Sequence, residues 1–291
     1  MNRNPVFEME IKKNTRSVRI SWIISVCNLL FGAIALICFF GESSIRGYMT
    51  PGSYTMPMRC YMMMAYLLFF LLLLTVPVIA GTSISLERER RTLDLLLTTH
   101  LNPWKIILGK LEASLGIIFV IAFSSMPALA LIMVFGGIGL WDLLVLVLIL
   151  MAFGIFVGSI GIFCSVVFKK TTVATLMAYV IVMLFVVGTI AAVSMIYYLQ
   201  VLHGKGMEEA VSPDVGGAVF LFLLNPFLTF SGLISQQIGS GKELSMLCGL
   251  FGDYSDSWMV NHMIPLSVLV QLAMSIIFLT TAGKKLNPLR K

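Results

Sequence analysis

The sequence predicts an all-α fold, a polytopic membrane protein with six transmembrane helices. Composition is the first observation behind this. Of 291 residues, 58% are hydrophobic and only 12% charged, with a mean hydropathy of +0.97, whereas a soluble globular domain carries about 25% charged residues. The second observation is six apolar runs, each able to cross a hydrocarbon core of roughly 30 Å, which takes about 20 helical residues. The third is the distribution of charge. With both termini on the cytoplasmic side, every basic residue except Arg46, Arg59, Lys205 and Lys242 falls inside, as the retention of Lys and Arg on that side predicts. Acidic residues run the other way, with Glu42, Asp142, Glu208, Glu209, Asp214, Glu243, Asp253 and Asp256 outside. The net charge of +6 therefore reports topology and carries no argument for nucleic acid.

Residues 1–19 open with Asn4-Pro5, an N-cap followed by proline in the first helical turn. Phe7, Ile11 and Val18 then share one helix side, and Glu8, Lys12, Arg16 and Arg19 another. This is the pattern of an amphipathic helix lying on the inner leaflet with its basic face toward anionic headgroups; the plainer alternative is a disordered basic leader. The first run, Ile20–Phe40, exceeds the apolar length of a cleavable signal peptide and has no small-residue cleavage pattern after it. A Gly-, Ser- and Pro-containing outer loop precedes the second run, Cys60–Ser83. Pro77 there, Pro127 in the third run (Ile106–Phe135) and Pro265 in the sixth (Met259–Ala282) are expected to bend their helices, since proline lacks an N–H and its ring clashes with the preceding turn.

In the fourth run, Leu143–Phe168, the small residues Gly154, Gly158, Gly161 and Ser165 line one face, on which a helix of this chain or of a second subunit can pack closely. The fifth run is Thr171–Gln200. The loop after it, residues 201–258, contains the apolar stretch Val215–Ile234, which Asn225-Pro226 divides into pieces too short to cross. Counting it as a span would also move Lys284, Lys285, Arg290 and Lys291 outside. It is read as two short helices that dip into or lie on the outer leaflet. Cys60 and Cys248 both fall at the outer side, where a disulfide between them is geometrically open, but five scattered cysteines form no framework.

Charge away from the termini gathers in Leu86–Lys110, between the second and third runs. On a helix, Leu93, Leu96, Leu97 and Leu101 share a face, and Glu87, Arg91, Asp94 and Thr98 hold the opposite one. Asn102-Pro103 stops this helix and starts the next. An exposed apolar stripe marks a binding surface, so the segment reads as a docking finger on the inner side. A positively charged flank that merely orients its neighbours would explain Arg88, Arg90 and Arg91 but not the leucines.

Chemistry within the membrane is sparse. The middles of the runs carry no ionisable group, which counts against an intramembrane enzyme or a proton relay; Glu112 and Asp142 lie near opposite interfaces and form no pair. Polar residues within the runs, Asn28, Thr75, Ser124, Ser125, Ser159, Thr189, Ser194, Ser267 and Gln271, are expected mainly to hydrogen-bond between helices. His100, His203 and His262 have no metal-ligand spacing. Gly239-Ser240-Gly241-Lys242 lacks the remaining residues of a phosphate-binding loop, with Gln236 and Glu243 at two required positions. No catalytic, metal or cofactor residue is assigned.

Glu87-Arg88-Glu89-Arg90-Arg91-Thr92-Leu93-Asp94-Leu95-Leu96-Leu97-Thr98-Thr99, followed by Ile106-Ile107-Leu108-Gly109-Lys110, resembles the segment after the second span of ABC-2 type permeases, roughly E-x-E-x-G-T-L-E-x-L-L-x-T-P and then I-x-x-G-K. The basic N-terminal helix and six runs with a long fifth outer loop are also similar to that family. Two positions depart from it: Arg91 stands for the usual Gly and His100 for the usual Pro. Arginine is expected to keep the helix unbroken where Gly would loosen it. The resemblance implies an N-terminal connecting helix over 1–19 and a six-span domain over 20–291, with a coupling segment at 84–103. It further implies the membrane subunit of an ABC exporter in the cell membrane, paired as a homo- or heterodimer and served by two copies of a separate ATPase that binds ATP and Mg. Glu87, Arg88, Glu89, Arg91, Thr92, Leu93, Asp94, Leu96 and Leu97 would couple to that ATPase. The cargo would be hydrophobic or amphipathic: a peptide, drug or lipid-like molecule. A non-transporting scaffold or sensor that recruits a soluble partner through the same segment is the alternative.

Overall fold

The computed structural model describes residues 7, 9–10, 12, 18–45, 55–93, 103–134, 138–204, 215–239, 248, 260 and 262–286, and all regular structure among them is helical. Chain segments 1–178 and 275–291 form one compact unit, and 179–274 a second. The helices are α1 (Val18–Ile45), α2 (Thr55–Thr82), the short α3 (Ser85–Glu89), α4 (Pro103–Val134), α5 (Leu140–Val167), α6 (Thr171–Met183), α7 (Thr189–Gly204), α8 (Pro226–Gln237) and α9 (Met263–Leu286). A π-helical stretch, Leu184–Gly188, joins α6 to α7, and a 3₁₀ helix, Gly216–Leu224, precedes α8.

Five stretches are long and apolar enough to cross a membrane: Met58–Glu89, Trp104–Ala130, Leu140–Val167, Thr171–Leu202 and Met263–Leu286. The pair Gly216–Leu224 and Pro226–Gln237, bent by 85°, makes a sixth if taken as one span. The protein is thus a multi-pass membrane protein. The first sequence run lies in α1, whose described apolar stretch is the shorter Ile24–Ile37.

In the first unit α5 packs against α2 and α4 through its glycines. A methyl group at Gly154 would lie 2.8 Å from Ile118 Cδ1, one at Gly158 2.9 Å from Leu111 Cδ1, and one at Gly161 2.6 Å from Ala80 Cβ. Such approach between backbones is what a small-residue face permits. Higher up, Phe69 and Phe153 meet edge to face with centroids 5.8 Å apart. Pro77 and Pro127 are internal to α2 and α4 as expected. Pro265 is not internal: it occupies the first turn of α9, where no helical N–H bond is lost.

The polar residues of the spans mostly turn inward on their own helices, contrary to the sequence expectation. Thr75, Ser124, Ser125, Ser159 and Ser267 hydroxyls donate to carbonyls three or four residues earlier. A hydroxyl on a helix has that acceptor within reach at no cost in helix approach. Thr189 and Gln271 do bond between elements, and both belong to the second unit.

There the bend is built by Asn225. Its Oδ1 accepts from the Phe227 and Leu228 amides, capping α8. Its Nδ2 donates to Val186 O in the π-helical stretch and to Thr189 Oγ1, each at 2.9 Å. Gln271 Nε2 donates to Leu223 O and Thr229 Oγ1 on either side of the bend. Around this polar joint Val193, Val215, Val219, Phe222, Leu228, Cys248 and Met263 form an apolar core. The Cys60 and Cys248 thiols are both buried and form no disulfide with each other.

Candidate functional site

The helix that follows α2 is short, and its polar side chains Ser85, Glu87, Arg88 and Glu89 each have a specific partner. Ile84 N and Ser85 N, unpaired by α3 itself, donate to Ser165 Oγ at 2.8 and 2.9 Å. Ser165, read from sequence as a packing residue, thus also caps α3 from a neighbouring helix. Gly81 allows this elbow to sit against α6: a methyl there would lie 3.1 Å from Thr175 Cγ2.

Glu87, Arg88 and Glu89 then fasten three different parts of the unit. Glu87 Oε1 lies 2.7 Å from Lys110 Nζ near the start of α4, and the same ammonium lies 3.1 Å from Glu10 Oε1 and donates to Ser83 O at 2.8 Å. Arg88 donates to the carbonyls of Phe168 and Val166 at the C-terminal end of α5. Glu89 accepts from Thr171 N at 2.7 Å and from its hydroxyl, at the N-terminus of α6. A cation on a helix C-terminus and an anion on an N-terminus are each matched to the helix dipole. Two adjacent residues of opposite charge therefore hold both sides of the α5–α6 turn.

α3 ends where the sequence predicted continuation. Arg91 has φ +57°, Arg91 N donates to Arg88 O, and Thr92 N donates to Glu87 O. This is a Schellman ending, whose left-handed position normally takes glycine. The expectation of an unbroken amphipathic helix through Leu86–Leu101 is corrected: the backbone conformation is set by the turn, and Arg91 adopts it despite its Cβ. After the turn Leu93 is 7% exposed and packs with Ala80, Ile84, Ile107, Leu111, Leu279, Ala282 and Leu286. It belongs to the core of the unit, and an exposed leucine stripe beginning at Leu93 is also corrected, because the reversal at Arg91 turns that side chain inward. Arg90, Arg91 and Thr92 are exposed. Asp94, Leu96 and Leu97 lie outside the described residues.

The chain matches the family described as ABC-2 family transporter protein over residues 5–283. It belongs to the ABC-2 transporter family. No curated protein matches it. The glycine of the family pattern corresponds to Arg91, so the left-handed turn supplies a physical reason for glycine there, and this permease forms the turn without one. The E-x-E carboxylates and the lysine of I-x-x-G-K, separate in the permease sequence, are joined through Glu87 and Lys110.

Sequence reasoning did not single out Glu10 or pair Lys110 with any partner. A signal was present: a lysine at the fifth position of a mainly apolar run needs acceptors if it is to be buried, and Lys110 is 3% exposed. Asp142 caps α5, accepting from Gly139 N at 2.9 Å, and Glu112 is exposed on α4. Among the described residues no group of His, Cys, Asp and Glu could hold a metal ion.

Proposed function

We propose that this permease is the membrane-spanning half of an ATP-driven exporter for a hydrophobic or amphipathic cargo, with ATP and Mg bound by a separate ATPase. The carrying observation is the ABC-2 family match over residues 5–283. The geometry supports it, since one short segment is fastened to α4, α5, α6 and the N-terminal residue Glu10. A push on such a segment displaces several helices together, which is what mechanical input to a transporter needs. In this reading α1 is the first span, the termini are cytoplasmic, and the bent pair around Asn225 dips into the outer leaflet. Two permease chains pair, and each engages one ATPase.

Arg90, Arg91 and Thr92, exposed beside the undescribed residues 94–102, form the described edge of the docking surface. Glu87, Arg88 and Glu89, bonded to α4, α5 and α6, hold it in place. The test is co-purification of the ATPase with full-length permease, followed by ATP hydrolysis in lipid nanodiscs. Arg90→Glu with Leu97→Asp is expected to abolish association while leaving the permease folded. Undiminished association and hydrolysis in that variant would sink the reading. Leu93→Asp is unsuitable for this purpose because it places a charge in the core.

A further inference from the structure

The ammonium of Lys110 has three N–H donors, and three acceptors surround it: Glu10 Oε1, Glu87 Oε1 and Ser83 O, at 3.1, 2.7 and 2.8 Å. They come from three places in the chain, a helical residue near the N-terminus, the short helix α3 and the end of α2. The lysine side chain is 1% exposed, and those of Glu10 and Glu87 are 11% and 15% exposed. Water cannot readily replace a lost acceptor at such burial, so the position of each segment constrains the other two. Two carboxylates face one ammonium, and the second oxygen of Glu87 is buried without a hydrogen-bond partner. All three donors of the ammonium are thus engaged, one by each segment, and removing an acceptor leaves a buried N–H without its partner.

We infer that Lys110 is a positioning residue that joins the N-terminal helical segment to α3, so that displacement of one is transmitted to the other. The inference deepens the proposed coupling function and rests on it for its purpose. The joint itself is a property of this chain alone. The N-terminal segment then serves as a second arm of the input, in addition to any role at the leaflet surface. Lys110 itself stands on α4, so the three-way contact also ties both arms to the longest helix of the unit.

The experiment is amide hydrogen exchange on the full-length chain in nanodiscs, comparing the native protein with Glu10→Ala and Glu10→Gln. Glu10→Ala removes one acceptor at the N-terminal end of the joint and leaves α4 untouched. It is expected to speed exchange across residues 84–92 roughly tenfold, the factor set by losing about one charge-assisted hydrogen bond. Glu10→Gln retains an acceptor oxygen and is expected to recover most of the protection. A Glu10→Ala effect confined to residues near position 10 overturns the joint. Hydrolysis by the complex with its ATPase is measured on the same variants, with kcat expected to fall severalfold at unchanged KM for ATP. If no ATPase associates, the coupling function fails, while the exchange result still decides the joint.

Discussion

Lys110 Nζ lies 2.7 Å from Glu87 Oε1, across 23 residues of chain, and both side chains are withdrawn from solvent. The contact connects the first carboxylate of the charged segment with the lysine that ends it. Replacing Lys110 by Met leaves Glu10 and Glu87 facing each other without a cation. Removal of one partner from a buried ion pair costs about 3–5 kcal/mol. The expected outcome is a much lower unfolding midpoint for Lys110→Met in detergent, with little response to added salt because the site is shielded.

Arg91 holds φ +57° at the end of α3. A non-glycine residue pays about 1–2 kcal/mol for this conformation, and glycine returns part of that as chain entropy in the unfolded state. Arg91→Gly is therefore expected to stabilise the protein by about 1 kcal/mol, read as a small rise in thermal midpoint. Arg91→Val should lower it, because a β-branched side chain fits the left-handed region worst.

Glycines of the spans should separate cleanly by position. At Gly161 an added methyl meets Ala80 Cβ at 2.6 Å and the Gly81 backbone at 3.2 Å, whereas at Gly116 nothing lies within 4 Å. Gly161→Ala is expected to cost about 1–3 kcal/mol through overpacking. Gly116→Ala should be neutral or gain up to about 1 kcal/mol in helix propensity. Parallel thermal denaturation of the two variants checks the contrast.

Burial pushes the Cys248 thiol up to about 11. At pH 7 that leaves roughly one molecule in ten thousand as the reactive thiolate. In a variant keeping Cys248 as its sole cysteine, maleimide labelling should be slow in the folded state and rapid after denaturation. Between pH 7 and 9 the native rate should rise about tenfold per unit without levelling off, since the titration midpoint lies above that range. An ordinary exposed thiol would level off near its usual pKa of about 8.5.

Five long apolar helices and the bend at Asn225-Pro226 were legible because they depend on properties of contiguous residues. Hydropathy sums along a run, proline removes an N–H wherever it stands, and an Asn-Pro pair announces a helix start. The charged segment was located on the same basis, but its internal order was not. Glu87 and Leu93 lie on opposite faces of one helix only if the helix continues between them, and the turn at Arg91 removes that premise. The hydroxyls of Ser124, Ser125 and Ser159 were assigned to neighbouring helices when their own carbonyls were nearer. Composition reports that a polar group needs a partner, while its identity depends on which acceptor is within reach.

From its residues alone this protein is a helical, multi-pass membrane chain with a charged interruption after its second apolar run. Transfer of apolar side chains from water to lipid is nearly additive, so a linear string suffices to determine it. Tertiary structure decided what the interruption is made of. It placed Glu10 and Glu87 on Lys110, Arg88 on the end of α5, Glu89 on the start of α6 and Leu93 in the core. Hydrogen bonds and ion pairs act over about 3 Å and in chosen directions. Their partners, here up to 100 residues apart, are selected only when packing brings the helices together.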